Sequence, residues 1–165
     1  LTQNDIADQQ HLFAECDLIV LQLEIPLEAV KTAIKLGRRH EKPVLLNPAP
    51  MPTPFDAELY QVDYFCPNEY EAEKLLGWSL DNEAKIEKAV RTLTQRVLGS
   101  VIITLGSRGA AFLDSALDQV QLLPAFDIDA VDSVAAGDAF IGALASQIVA
   151  GYPLPVAIRV ACAAG

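Results

Sequence analysis

The stretch DLIVLQLEIPLEAVKTAIKLGRRHEKPVLLN, residues 17–47, decides the fold class of this chain. It opens and closes with short aliphatic runs, Asp17–Gln22 and Pro43–Asn47, which are typical of strands buried on both faces. A helix is expected between them, beginning at Pro26, a favoured first helical position. Its apolar side chains recur at helical spacing: Leu27, Val30, Ile34 and Leu36. Strand, helix and strand in this order predict a crossover between two parallel strands.

The alternation of strands and helices continues on both sides of this unit. Residues 48–54 contain four prolines and are expected to form a rigid loop, because proline propagates neither a helix nor a strand ladder. The remaining predicted elements are helices at Asp5–Glu15, Asn68–Leu76 and Asp81–Leu98, strands at Tyr64–Cys66 and Ser100–Thr104, and a hairpin around Ala110–Leu113 and Gln119–Leu122. We therefore predict an α/β fold with a largely parallel sheet and helices on both faces.

Composition excludes several classes of partner. The chain has 165 residues, 52% of them hydrophobic, which suits one globular unit with a real core. A net charge of −10 disfavours nucleic acid and anionic membranes, whose binding depends on Lys and Arg. The three cysteines are widely spaced in apolar sequence and are expected to be reduced. A cytoplasmic protein without a membrane span is expected.

Polar residues follow the predicted strands at the points where they end. Glu24 and Asn47 come after the first two strands, and Asn68 and Thr104 come at the ends of the next two. In an open parallel sheet, ligands collect beyond the C-terminal ends of the strands. The sequence therefore predicts a ligand site at that edge.

The run Asp132-Ser133-Val134-Ala135-Ala136-Gly137-Asp138-Ala139-Phe140 points to an anion at this site. Its small residues let backbone N–H groups approach an anion closely, and a helix N-terminus adds unpaired donors and a positive dipole end. On the residues alone, Asp138 can equally serve as a helix-capping charge, and the three small residues before it can simply pack well.

This run resembles the C-terminal signature of the ribokinase-like (PfkB) carbohydrate kinases. The resemblance implies a three-layer α/β sandwich, here lacking the N-terminal half and the lid of the family. It also implies transfer of the γ-phosphate of ATP to a sugar hydroxyl, with ribose as the expected sugar. Fructose, a keto-deoxy sugar acid or a nucleoside remain alternatives. In this family Asp138 would be the catalytic base that also contacts the sugar, and Ala135, Ala136 and Gly137 would form the anion hole.

Two further segments resemble nucleotide elements of the same family. Asn68-Glu69-Tyr70-Glu71 is similar to its N-x-x-E element, which implies that Asn68 approaches the ATP phosphates and that Glu71 organises Mg²⁺ through water. Taken alone, the same four residues are an ordinary capping box. The loop Thr104-Leu105-Gly106-Ser107-Arg108-Gly109 is similar to the family's nucleotide loop, where Gly106 and Gly109 allow positive φ. A plain hairpin entry is the alternative. The resemblance places Gly137 at the nucleotide as well.

The resemblance extends to the sugar and to a second cation. Glu24, in Gln22–Pro26, would accept hydroxyl hydrogens of the sugar, although it can equally be a favourable charge ahead of the helix that follows. Asp132 and the carbonyl of Val134 would hold a monovalent cation such as K⁺. A turn-forming role is the alternative for Asp132.

The resemblance covers nearly the whole chain. We expect residues 1–165 to be the C-terminal, nucleotide-binding portion of one kinase domain, because the sequence starts and stops abruptly. A homodimer is expected for the full-length parent. A non-catalytic module that binds nucleotide or sugar is the alternative from a different functional class.

Overall fold

A computed structural model describes residues 1–114, 117–127 and 135–165. Within these residues, six strands form one sheet in sequential order. The strands are β1 (Ile19–Leu21), β2 (Val44–Leu46), β3 (Tyr64–Phe65), β4 (Ser100–Thr104), β5 (Ala110–Asp114) and β6 (Gln119–Leu123). Strands β1 to β4 are parallel, whereas β5 and β6 add an antiparallel hairpin. The predicted α/β class and largely parallel sheet are therefore confirmed.

Helices connect the parallel strands and cover both faces of the sheet. The described helices are α1 (Gln3–Asp8), α2 (Gln10–Glu15), α3 (Leu27–Arg39), α4 (Glu69–Leu76), α5 (Glu83–Thr94), α6 (Ala136–Val149) and α7 (Leu154–Ala164). A short 3₁₀ helix, Ala57–Tyr60, lies between β2 and β3. No helix in the described part of the chain is both long and apolar enough to cross a bilayer.

Side chains of the buried strands alternate between two separate cores. Val44 and Leu46 pack in one cluster with residues of α3, α4 and α5, whereas Leu45 packs in a second cluster with α6 and α7. All three side chains are fully buried. Successive side chains of a strand point to opposite faces, so an uninterrupted aliphatic run fits only a sheet that is covered on both sides. The result is a three-layer sandwich.

The first crossover helix approaches the sheet closely. A Cβ at Gly37 of α3 would lie 2.6 Å from Val44 Cγ2 and 2.8 Å from Ile19 Cδ1. A larger residue at position 37 would therefore require the side chains of Val44 and Ile19 to shift, so glycine lets α3 lie close to β1 and β2. The helix begins at Leu27, one residue later than predicted, because Pro26 keeps an extended backbone (ψ 133°) and serves as the N-cap.

Two predicted helices are wrong in extent. The helix expected over Asp5–Glu15 is two helices, because the N–H of Gln9 donates to the carbonyl of Ile6 (3.2 Å), a tightened turn that ends α1. The helix expected over Asp81–Leu98 spans only Glu83–Thr94. After it, the N–H groups of Leu98 and Gly99 donate to the carbonyls of Tyr60 and Val62, which directs the chain into β4.

Candidate active site

The C-terminal ends of the four parallel strands lie along one edge of the sheet. Pairing of Leu21 with Leu46, and of Leu46 with Phe65, aligns the ends of β1, β2 and β3. Asn47 Nδ2 donates to the carbonyl of Cys66 (2.9 Å) and so ties the end of β2 to the end of β3. The polar residues expected at this edge are therefore gathered there by the strand register.

Asn68 and Thr104 are adjacent at this edge. They form an isolated parallel bridge, and the N–H of Thr104 donates to the carbonyl of Pro67 (3.0 Å). The predicted neighbourhood of the N-x-x-E element and the nucleotide loop is thus observed, because β3 and β4 are neighbours in the sheet.

The Asn68–Glu71 element forms a complete capping box at the start of α4. Asn68 Oδ1 accepts the N–H of Glu71 (2.9 Å), and Glu71 Oε2 accepts the N–H of Asn68 (2.8 Å). Glu71 is only 4% exposed. Burial raises the pKa of its carboxyl above the ordinary value of 4.5, and the hydrogen bond from the Asn68 backbone opposes that shift.

The loop after β4 has the backbone that its glycines predicted. Gly106 and Gly109 have φ values of +57° and +91°, and residues Gly106–Arg108 form a 3₁₀ turn. The two glycines differ in surroundings. A Cβ at Gly109 would collide with the backbone between Leu123 and Ala125, whereas a Cβ at Gly106 would meet nothing within 4 Å. Gly109 therefore makes room for the chain leaving β6, and only Gly106 presents open backbone.

Arg108 is held against the body of the fold. Its guanidinium forms an ion pair with Glu69 Oε1 (2.7 Å) and donates to the carbonyl of Leu80 (3.1 Å). The ion pair with Glu69 fixes the loop Thr104–Gly109 to the start of α4. Leu105 is buried in the core, whereas Ser107 is exposed.

The first turn of α6 has backbone N–H groups that no side chain in the described part of the chain caps. Ala135 is the N-cap residue with φ 63°, and its side chain makes no capping hydrogen bond. The N–H groups of Ala136, Gly137 and Asp138 belong to the first turn, where helical geometry provides no acceptor. Gly137 and Asp138 are exposed. A helix therefore begins at the predicted turn, and the anion-binding role of Ala135, Ala136 and Gly137 stays a prediction.

A hydrogen bond from Gln22 connects the end of β1 to the start of α6. Its Nε2 donates to Asp138 Oδ1 at 2.7 Å, a contact between residues 116 positions apart in the sequence. Sequence reasoning assigned no role to Gln22. The available signal was its position directly after a buried strand and two residues before Glu24. Glu24 is exposed and lies two residues after Gln22 in the same segment.

The predicted cation ligands are described only in part. Asp132 and Val134 lie outside the described residues, so the K⁺ site stays a prediction. Across residues 1–114, 117–127 and 135–165, no three His, Cys, Asp or Glu side chains cluster in a way that would hold a metal ion directly. Glu71 Oε1 has no hydrogen-bond partner among these residues. One such oxygen fits a water-mediated contact to Mg²⁺, which keeps several of its waters.

Comparison with known proteins assigns the family. The model of the pfkB family carbohydrate kinases matches residues 2–165. The chain is 40% identical over 160 residues to a deoxyribokinase of Salmonella typhi, covering 96% of this chain and 52% of the relative. It is 44% identical over 144 residues to a ribokinase of Schizosaccharomyces pombe, covering 84% and 44%. The chain belongs to the PfkB family of carbohydrate kinases.

Solved structures agree with this assignment. A ribokinase of Arabidopsis thaliana, complexed with ribose and ATP, superposes with a TM-score of 0.86 and 27% identity over 94% of this chain and 50% of that one. A ribokinase of Thermotoga maritima gives a TM-score of 0.80 and 31% identity over 93% and 50%. The chain spans about half the length of the relatives it matches. The three-layer fold predicted from the resemblance is confirmed.

Proposed function

We propose that this chain carries the nucleotide-binding portion of an ATP-dependent sugar kinase, which transfers the γ-phosphate to the primary hydroxyl of ribose. One observation supports this above the others. The first turn of α6, whose N-cap residue Ala135 provides no side-chain acceptor, carries backbone N–H groups next to the Asp138 carboxylate, and Asp138 contacts Gln22 at the end of β1. Donors for a phosphoryl group and an acceptor for a hydroxyl proton are what phosphoryl transfer requires.

In the proposed reaction, the sugar hydroxyl oxygen attacks the γ-phosphorus of ATP. The bond between the γ-phosphorus and the bridging oxygen breaks, ADP leaves with that oxygen, and the hydroxyl proton moves to Asp138. The amides of Ala136 and Gly137 stabilise charge on the transferring group. Phosphoryl transfer passes through a loose transition state, so positioning and charge stabilisation contribute more than the basicity of the acceptor.

The ATP phosphates are proposed to lie between α6 and the β3–β4 edge. Asn68 and Thr104 are neighbours there, and Gly106 presents open backbone beside them. Magnesium, bound with ATP, would neutralise phosphate charge. Glu71 would hold one of its waters through Oε1, and the positive charge nearby would offset the cost of burying the ionised carboxyl.

The sugar is proposed to contact Glu24 and Asp138. Both carboxylates are exposed at the same edge and can accept hydroxyl hydrogens. The relative from Salmonella typhi is named a deoxyribokinase, which makes 2-deoxyribose the second candidate substrate. Ribose and deoxyribose differ by one hydroxyl, so discrimination depends on whether the site pairs that group.

A steady-state assay of ADP release tests the proposal on the intact protein. Ribose, 2-deoxyribose, fructose and adenosine are compared as acceptors at saturating Mg²⁺ and ATP. We expect the highest kcat/KM with ribose. A higher value for 2-deoxyribose would move the assignment to that sugar. Binding of ATP by calorimetry without any phosphorylated product would favour the non-catalytic alternative.

A further inference from the structure

The backbone on both sides of Gln22 is held by hydrogen bonds. The residue before it, Leu21, accepts the N–H of Asn47 (3.0 Å), and the residue after it, Leu23, donates to the carbonyl of Ala49 (2.8 Å). Both contacts attach this segment to the chain leaving β2. The side chain of Gln22 therefore reaches toward α6 from a site that is anchored on both sides.

The hydrogen bond to Asp138 occupies one oxygen of the carboxylate, and the other oxygen has no donor among the described residues. Gln22 Nε2 contacts Oδ1 at 2.7 Å, and no other described residue donates to the Asp138 side chain. An amide N–H is a donor that does not itself accept the proton released in the reaction. It can hold the carboxylate in one orientation without competing for the proton.

We propose that Gln22 is a positioning residue, which orients Asp138 so that Oδ2 faces the attacking hydroxyl. This inference rests on the proposed function. Gln22 acts through Asp138 and is not assigned a contact with the reacting atoms. Because Asp138 is exposed, its side chain has little packing to restrain it, and the bond from Gln22 supplies the restraint. A small misplacement of a reacting group is enough to slow a reaction by orders of magnitude.

The alternative is a bond that merely fastens α6 to the sheet. The contact is exposed to solvent, whereas α6 is attached through Phe140, Ile141 and Leu144, which are buried in the second core. Loss of an exposed hydrogen bond is expected to change stability little. Kinetics and stability therefore separate the two roles.

The experiment compares Gln22→Met, Gln22→Glu and Gln61→Met in the intact protein. Met keeps the length of the side chain without the donor, and Glu places a second carboxylate where the donor was. Gln61 is the matched control, since its Oε1 accepts Arg38 Nη1 at the same 2.7 Å on a segment outside the candidate site. The measurements are kcat, KM for ATP and Tm.

We expect Gln22→Met to lower kcat about tenfold with KM for ATP within about twofold of the original. Gln22→Glu is expected to lower kcat about 100-fold, because two carboxylates in contact repel each other and displace Asp138. Gln61→Met should keep its kcat, and each Tm should change by no more than about 2 °C.

Two results overturn the inference and can be told apart from failure of the proposed function. If Gln22→Met keeps full kcat while Asp138→Asn is inactive, the kinase assignment stands and the positioning role falls. If both Gln22 variants lose Tm and kcat together, the contact is structural. If the unsubstituted protein releases no ADP with any sugar, the proposed function fails and the role of Gln22 fails with it.

Discussion

The N-termini of α4 and α6 differ in how the backbone N–H groups of the first turn are paired. At α4, Asn68 and Glu71 satisfy each other's backbone amides through two hydrogen bonds of 2.9 and 2.8 Å. At α6, the N-cap residue is Ala135, which has no side-chain oxygen, and no acceptor for the N–H groups of Ala136, Gly137 and Asp138 is found among the described residues. The capping box at α4 therefore satisfies a first-turn N–H group that the N-cap residue of α6 cannot satisfy.

The family resemblance places both helix starts at the nucleotide, and the residue at the N-cap distinguishes them. Asn68 already accepts the N–H of Glu71, which leaves the N–H groups of Glu69 and Tyr70 in the first turn of α4, whereas Ala135 accepts none at α6. We therefore expect α6 to contribute more backbone donors to a bound phosphate than α4.

Replacing Asp138 with Asn is expected to lower kcat about 1000-fold, because the amide cannot take the hydroxyl proton. ADP release with ribose measures the change, and circular dichroism checks the fold. The control is Asp118→Asn, which removes an equal charge at an exposed position with φ +50°, where Asn is well tolerated. Retention of more than about a tenth of the original kcat by Asp138→Asn would refute the catalytic role.

Replacing Gly137 with Ala should separate function from stability at α6. A Cβ at Gly137 would meet no described residue within 4 Å, so we expect the free energy of unfolding to rise by about 0.5 kcal/mol. The methyl group would obstruct the anion, so kcat/KM for ATP is expected to fall about 100-fold.

Gly142→Ala is the matched control for this substitution. Gly142 lies in the same helix and also has open space around its Cα, so the gain in stability should be similar and the activity unchanged. Equal activity of the two variants would show that the first turn of α6 does not contact the phosphates.

Replacing Glu71 with Gln is expected to lower kcat about tenfold at limiting Mg²⁺, because the charge that organises the ion is lost. The amide oxygen can still accept the N–H of Asn68, so the cap persists. Higher Mg²⁺ should restore part of the rate, and a titration of kcat against Mg²⁺ measures this.

The same substitution changes the dependence of stability on pH. Burial places the pKa of Glu71 in the folded protein above its ordinary value of 4.5. The folded state therefore holds this proton more tightly than the unfolded state, and stability falls as pH rises from about 4.5 through the folded pKa. Glu71→Gln lacks this component, so its Tm relative to the original protein should increase over that range. A constant difference in Tm would contradict the shift.

Replacing Asn68 with Ala tests the cap at α4 against an equivalent cap elsewhere. Asn82 caps α5 in the same way, through a 3.0 Å bond from the N–H of Lys85 to its Oδ1. Each Asn→Ala change should cost about 1 kcal/mol, which lowers Tm by about 3 °C. Only Asn68→Ala is expected to raise KM for ATP, by about fivefold, as measured by initial rates; a similar rise with Asn82→Ala would trace the effect to stability.

Much of the fold and part of the candidate site could be predicted from local sequence patterns. The strands were predictable because an aliphatic run buried on both faces, such as Val44–Leu46, has few other places in a water-soluble structure. The cap of α4 and its end at Gly77, with φ 80°, were predictable because both arise between residues close in the chain.

Local sequence patterns could not predict contacts between distant segments. The sequence indicated that Gly109 allows positive φ. It did not predict that the chain after β6 fills the space beside this residue. It also left unassigned the donor for Asp138, since Gln22 lies 116 residues away and has no local signature.

The amino-acid sequence alone was enough to predict the α/β layering and the capping box of α4, because these follow from side-chain period, backbone preference and neighbours within a few residues. Only the tertiary structure decided that Gln22 meets Asp138 and that Asn68 lies beside Thr104. Those pairings depend on strand order and on how α6 packs on the sheet, which arise from the summed burial of many side chains and from no single motif.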